Sequence, residues 1–455
     1  MKHLRRLSIF LLAAWWLAPA APAATPPNLL ILLVDDMGWN GVGFHHPSSP
    51  TPNLNRLAGE SLELQRFYTY PVCSPARAAL LTGQMPRRFG LADVIAPGQE
   101  GIPTNTLTLP RLFHSASYST TLIGKWHLGA IHPPRQCGFD HFYGFLGAEI
   151  DYYQHTGLRG GPDWQRDGTN LVENGYSTDL LADEAVRQIQ GRDPRRPFFI
   201  EVAFNAPHVP LSAPPDLVAQ YATNGGLYDA VLARLDQAIG RILDAVADPA
   251  LRTNTLVLFY SDNGAPVRQS DNSPLRAGKD TVYEGGIRTP CLLRWPGHTP
   301  SGVATQQPVA AQDLLPTLAA AAGLTLPADA AVHLDGINQW TALQTGQLIL
   351  RPPILIASHE IALIDGDWKL IAGPGDRREL YHLSVDPAEA RDEFAHQPEL
   401  ARRLRAQLDA LAQDLPAARP RRGPPAGRGA PGGPGSGRGM RRGTPPPSPT
   451  GDRSL

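Results

Sequence analysis

The sequence predicts an α/β fold: a large, mostly parallel central sheet flanked by helices, then a smaller antiparallel sheet with a closing helix. Three observations lead to it. Four apolar runs, "NLLILLVDD" and the β-branched or aromatic "STTLIGKWHLG", "RPFFIEVAFNAPH" and "NTLVLFYSDNG", each break off abruptly in polar residues. Between them lie stretches such as "YSTDLLADEAVRQIQG" and "LYDAVLARLDQAIGRILDAV", apolar at three- and four-residue steps as amphipathic helices are. Beyond Gly323 that alternation gives way to short strand-like pieces separated by turn residues.

Taken in order, residues 1–24 carry Lys2, Arg5 and Arg6, then an apolar run, then the small residues around Ala21 to Ala24. That is the layout of a cleaved export signal, and the run is short for a bilayer span, so the mature protein is expected in the periplasm or secreted. Residues 25–344 read as the main domain. Its first run, Asn28 to Asp36, is continuously apolar before two acids, as a parallel strand buried on both faces is when its end meets a site. Alternating strands and helices give layers of helix on both faces of the sheet, where ligands sit beyond the carboxyl ends of the strands. Residues 345–415 hold "PPILIASHE", "LIDGDWKLIAG" and "ELYHLSVDP", then the helical "PELARRLRAQLDALAQDL", and read as an antiparallel-sheet subdomain. Residues 416–455 are Pro, Gly and Arg with hardly an apolar side chain, the composition of a disordered tail.

The formal charge of −1 conceals an asymmetry. Without the basic signal and tail, residues 25–415 keep 30 Lys and Arg against 41 Asp and Glu, a charge of −11. An acidic body argues against a nucleic-acid partner. An anionic substrate would need locally concentrated cations or a metal. Cys73, Cys137 and Cys291 are too few for a disulfide framework, and an odd count in an exported chain leaves at least one to explain.

The chemistry-bearing residues cluster at the strand ends. Asp35-Asp36 and Asp262-Asn263 are hard oxygen donors suited to Ca²⁺ or Mg²⁺, although either pair alone reads equally well as a turn or cap. In "GKWHLG", Lys125 and His127 would face one side if the segment is extended. His208 follows another strand in "NAPHVP", and Lys279 lies in the Gly-rich "LRAGKDTVYEGG". A lone His or Lys in a loop is usually a solvated or packed residue. Four such groups at strand ends beside two acidic pairs point to one site.

"CSPARAALLTG" and "GKWHLG" resemble the two signatures of the formylglycine-dependent sulfatases. With "VDDMGWNGVGFHH", "TPNLNRLA", "NAPH", "SDNG" and "GKDTVYEGGIRTP" the resemblance runs over roughly residues 28–390. "GFLGAEIDYYQH" and "LDGINQWTAL" resemble the arylsulfatase B branch, which includes N-acetylgalactosamine-4-sulfatases. The resemblance implies an alkaline-phosphatase-like sandwich and hydrolysis of sulfate esters, of a sulfated sugar or an aryl sulfate. It implies that a formylglycine-generating enzyme oxidises Cys73 to Cα-formylglycine, with Pro75 and Arg77 in the recognised motif. Asp35, Asp36, Asp262 and Asn263 would hold one Ca²⁺ with an oxygen of the modified Cys73. One hydroxyl of the aldehyde hydrate would attack sulfur, giving a covalent sulfo-enzyme, and the second, deprotonated by His127, would expel sulfate. Lys125 and Lys279 would neutralise sulfate oxygens, His208 would protonate the leaving alcohol, with Lys279 as a second candidate, and Arg77 would orient residue 73.

Two positions depart from the family pattern. Asn55 stands where many relatives carry an acid and is expected to be a helix cap; Ala148 stands where several carry a serine near the sulfate. A phosphonate or phosphate ester hydrolase of the same superfamily and a non-catalytic glycan-binding relative remain as alternatives. Substrate choice is expected from the loops 147–161 and 264–276, and neither the oligomeric state nor the sulfated position is legible.

Overall fold

The computed structural model describes residues 25–418 apart from 97, 159, 224 and 225. The export signal expected over 1–24 and all but the first three residues of the expected tail lie outside the described residues.

Strand Asn28–Val34 lies at the centre of a ten-stranded sheet, between Thr255–Ser261 and Phe198–Ala203, with Ser119–Lys125 next outward, all four parallel. Its even and odd residues explain why the run is apolar throughout. Leu29, Ile31 and Leu33 join one core, which includes Ala76, Ala79 and Leu80 of the helix Cys73–Thr82. Leu30, Leu32 and Val34 join the opposite core, with Leu181 of Ser177–Gln190 and Val231, Leu235 and Ile239 of Gly226–Ala245. A sheet covered on both faces has no solvent side on which alternation could show. The sheet is not wholly parallel: Cys291–Arg294 runs antiparallel to Thr255–Ser261, and the short strands Gln165–Arg166 and Thr169–Asn170 form an antiparallel edge.

The register brings the strand ends level. Val34 pairs with Ser261, Leu33 with Ala203, and Ala203 with Gly124, so the residues that follow these four strands emerge on one edge. Gly124 is required there: its φ is +109°, and a Cβ would lie 1.9 Å from the Ala203 carbonyl oxygen.

The smaller sheet consists of Ile354–Ala357, Ile361–Asp365, Trp368–Ala372 and Arg378–His382, antiparallel in sequence order. Leu355, Leu363, Leu370 and Leu380 pack under Leu404 and Leu408 of the closing helix Pro398–Ala412, while Ile354, Ile356, Ile364 and Ile371 face the main core. Residues 25–418 belong to one compact unit. Among the described residues no helix is long and apolar enough to cross a membrane.

Asn55 is not a cap. It lies within the helix Pro52–Gly59, which Thr51 precedes, and its side chain occupies the space that a Cβ on Gly43 would need.

Candidate active site

Helix Cys73–Thr82 starts where the four strands end, with Cys73 as its first residue and Pro75 in its first turn, where the missing N–H leaves no helical bond unmade. It stops at Gly83, whose φ of +66° suits a glycine terminator and whose N–H reaches the Ala79 carbonyl. All ten residues of this helix are buried, so its positive end is aimed into the protein at the site.

Asp35 leaves the first strand into this corner. Its Oδ1 accepts from the Cys73 thiol at 3.3 Å, its Oδ2 from the Lys125 ammonium, and Arg77 Nη2 stands 3.7 Å from Oδ2. Arg77 bridges further, donating to Asp262 Oδ2 at 2.8 Å and to the Lys125 carbonyl at 3.2 Å. Asp36 adopts a left-handed backbone, φ +67°, uncommon for a non-glycine residue and typical of strained functional positions. It receives Asn263 Nδ2 at 2.6 Å and Lys279 Nζ at 2.7 Å, and His208 Nε2 stands 3.6 Å away. Its own N–H donates to Asp262 Oδ1 at 3.3 Å. Lys279 Nζ is also 3.7 Å from Cys73 Sγ.

Lys125 and His127 reach the site by a different route from the extended one expected. Lys125 closes its strand, but His127 has φ +51°, and its backbone N–H bonds to the Leu146 carbonyl, so a left-handed turn rather than strand pleating places the imidazole. Both ring nitrogens of His127 are buried without a hydrogen-bond partner in the protein. The Ser74 hydroxyl donates to the His127 carbonyl at 2.8 Å and accepts from the Ile95 N–H, tying the second signature to the first.

Burial by itself would raise the Asp35 carboxyl, but Lys125, His208, Arg77 and Lys279 together hold it well below the usual range, so it stays ionised. Burial, with the Asp35 charge added, pushes the Cys73 thiol far up. An unmodified Cys73 is therefore a protonated thiol and a poor nucleophile. Burial, then Lys125 and Arg77, depresses His127 well below its ordinary value, leaving it neutral and able to take a proton. Burial also lowers His208. Asp262 is pushed up to about 6, by burial and then by Asp35.

One ligand atom each from Asp35, Asp36, Cys73 and His208 falls within 4.8 Å of the others, a spacing one cation could bridge. Asp262 and Asn263 adjoin that set through the hydrogen bonds above, and Asn263 Oδ1 is a buried acceptor with no partner. An orphaned amide oxygen beside three carboxylates is a donor set for a hard cation.

Two neighbours carried no motif. Glu201 lies inside the strand Phe198–Ala203, fully buried with Oε2 unpartnered; burial pushes it up to about 7, and Arg77 draws it the other way. The signal was present as one acid within "FFIEVAF". Glu149 stands 3.9 Å from His208 Nδ1, and nothing local in the sequence marks it.

Buried acids and cations gathered at the carboxyl edge of a parallel sheet, around a cysteine at a helix start, define a hydrolytic α/β enzyme built for an anionic ester. A family model described as Sulfatase matches residues 27–324. N-acetylgalactosamine-6-sulfatase of Homo sapiens is 37% identical over 363 residues, covering 73% of this chain and 69% of that protein. Arylsulfatase A of Homo sapiens is 35% identical over 362 residues, covering 71% and 68%. The crystal structure of Ps i-CgsB aligns with a TM-score of 0.81 at 30% identity, covering 87% of this chain and 94% of that one, and a second structure of that protein is its complex with k-i-k-neocarrahexaose. The chain belongs to the formylglycine-dependent sulfatase family and is a sulfuric ester hydrolase. These relatives support the family without singling out the 4-sulfatase branch.

Proposed function

We propose that this sulfatase releases sulfate from a sulfated sugar, with Cys73 matured to Cα-formylglycine and one Ca²⁺ held by Asp35, Asp36, Asp262, Asn263 and the modified residue 73. The observation that carries this is the position of Cys73 at a buried helix start, with Asp35 at 3.3 Å and Lys279 at 3.7 Å. A thiol so placed is badly suited to attack and well placed as the precursor of something else. A formylglycine hydrate supplies two hydroxyls on one carbon, one to bond to sulfur and one to drive sulfate off, and a divalent cation lowers the pKa of oxygen bound to it.

The residues of this chain then take distinct tasks. Arg77, locked on Asp262 and the Lys125 carbonyl, keeps residue 73 and the acids in one arrangement. Lys125 and Lys279 set positive charge beside the sulfate oxygens, where a buried site magnifies it. His127, neutral with both ring nitrogens free of protein partners, takes the proton from the hydroxyl that expels sulfate. His208 donates the proton that the departing alcohol needs when its ring is doubly protonated: Nδ1–H donates to the Val209 carbonyl at 2.7 Å, so the proton given comes from Nε2, which faces Asp36 and the site, and the Asp35 and Asp36 charges favour that form against burial.

Support for a sugar comes from the relatives, which include an N-acetylgalactosamine-6-sulfatase and a protein whose crystal structure is a complex with k-i-k-neocarrahexaose. N-acetylgalactosamine-6-sulfatase among the relatives makes a sulfated amino sugar the first substrate to try. The arylsulfatase B branch, export by the residue 1–24 signal, the boundaries 25–344 and 345–415, and maturation by a formylglycine-generating enzyme are parts of the same proposal.

The test is mass spectrometry of the peptide containing Cys73 from protein co-produced with a formylglycine-generating enzyme, followed by sulfate release from a panel of sulfated saccharides, aryl sulfates and aryl phosphates. A loss of about 18 Da relative to the thiol, with turnover on a saccharide, is expected. Turnover of aryl phosphates above sulfates, or of aryl sulfates and no saccharide, would sink the substrate assignment.

A further inference from the structure

Lys279 enters the site from a segment, residues 276–284, whose anchor points lie on the C-terminal sheet and the turn that follows it. Arg276 Nη1 donates to the Tyr381 hydroxyl oxygen at 2.8 Å and to the Glu389 carbonyl at 2.8 Å, and its guanidinium lies 4.0 Å over the Tyr283 ring. The Tyr283 hydroxyl donates to Glu379 Oε2 at 2.7 Å, which also accepts from Tyr381 at 2.8 Å. At the far end the Glu284 N–H donates to Glu389 Oε2 at 2.6 Å. Lys369 lies between the two acids, 2.9 Å from Glu284 Oε1 and 2.8 Å from Glu389 Oε1, with all three side chains buried. The Gly285 N–H reaches the Arg276 carbonyl at 2.8 Å and closes the segment into a loop, while the Lys279 N–H bonds to Ala265. At Gly264 a Cβ would lie 1.8 Å from the Gly285 carbonyl oxygen, so the loop and the last site strand are pressed together.

We infer that the C-terminal sheet is part of the sulfate-binding apparatus: through Arg276, Tyr381 and the buried Lys369, Glu284 and Glu389 it positions Lys279. The inference rests on the role given to Lys279 above. A lysine has a flexible four-carbon stem, so its ammonium is only as well placed as the backbone that carries it. A buried charge cluster is a poor source of stability, because well-packed apolar residues would serve as well; what it supplies is a fixed register between two elements. Here those elements are the strand Trp368–Ala372 and the end of the Lys279 loop. Arg276, Tyr381 and Lys369 are thus positioning residues, acting through Lys279.

The test is a double-mutant cycle on the matured enzyme with an aryl sulfate: wild type, Arg276→Ala, Lys279→Ala and the double variant, with the inhibition constant of inorganic sulfate and the melting temperature of each. Arg276 is exposed, so its removal leaves the core intact. Arg276→Ala is expected to lower kcat/KM and raise the sulfate inhibition constant by roughly ten-fold, and to add little in the Lys279→Ala background. Tyr381→Phe, which deletes one hydroxyl, should shift both in the same direction by less. Equal losses from Arg276→Ala in both backgrounds, or wild-type sulfate inhibition in Arg276→Ala and Tyr381→Phe, would overturn the positioning role alone. A wild-type rate in Lys279→Ala would instead overturn the role of Lys279, and the inference with it.

Discussion

The two oxygens of the Asp35 carboxylate are divided between Cys73 and Lys125: the thiol donates to Oδ1 at 3.3 Å and the ammonium to Oδ2. On the proposed function, one buried acid thus ties the residue that would be modified to a cation that would meet the substrate. Lys125→Met removes the largest influence holding the Asp35 carboxyl down, so burial will raise it. Since the proposed cation site needs Asp35 ionised, activity in that variant should fail at a higher pH on the acid side. Turnover at the optimum should drop about 100-fold or more. The pH profile of kcat/KM checks both, and an unmoved acid limb would detach Asp35 from the titration that limits activity.

Cys73→Ser separates attack from release. A serine has one hydroxyl, so it can take sulfur but has no second oxygen to break the ester it forms. Steady-state turnover should vanish, while intact mass after incubation with an aryl sulfate should show one added sulfonate group on residue 73. Cys73→Ala should show neither. Multiple turnovers by Cys73→Ser would refute the two-hydroxyl scheme.

The proposed Ca²⁺ site, built on the orphaned Asn263 oxygen and the three acids around it, makes a prediction of its own. A ligand that binds only the folded state raises the melting temperature in proportion to its binding free energy. Chelation should lower the melting temperature and abolish activity, and added Ca²⁺ should restore both. Asn263→Ala should weaken Ca²⁺ binding by about ten-fold or more without requiring that the fold be lost. Equal thermal shifts with Ca²⁺ in wild type and Asn263→Ala would remove Asn263 from the cation site.

Much of this arrangement was legible because it is written in local contrast. Val34 to Asp35 and Ser261 to Asp262 pass from buried strand to buried acid in one residue, and parallel pairing then had to bring those ends level. The illegible parts are set by long-range partners. His127 enters through a left-handed turn fixed by Leu146, which no period-two rule anticipates. Asn55 reads as a cap from its place near "TP", yet the helix had already begun and Gly43 packs against it. Arg276 and Tyr381 are 105 positions apart, and their contact depends on how the small sheet docks.

Glu201 offers a stability test separate from turnover. Its carboxyl is fully buried beside Arg77, whose guanidinium is already engaged by Asp262 and Asp35. A folded value near 7 against an ordinary 4.5 means that the native state holds a proton which the unfolded chain has given up across that interval. Stability from this group is therefore full below about pH 4.5, declines as pH rises, and is lost above about pH 7. At about 1.4 kcal/mol per pH unit the loss is on the order of 3 kcal/mol. Glu201→Gln keeps the shape and removes the charge, so it should melt close to wild type at about pH 5 and several degrees above it at about pH 8. Since Glu201 donates nothing to the substrate, kcat of that variant should stay within about three-fold of wild type. A melting difference independent of pH would mean that Glu201 is ionised throughout and that Arg77 is shared among three acids rather than two.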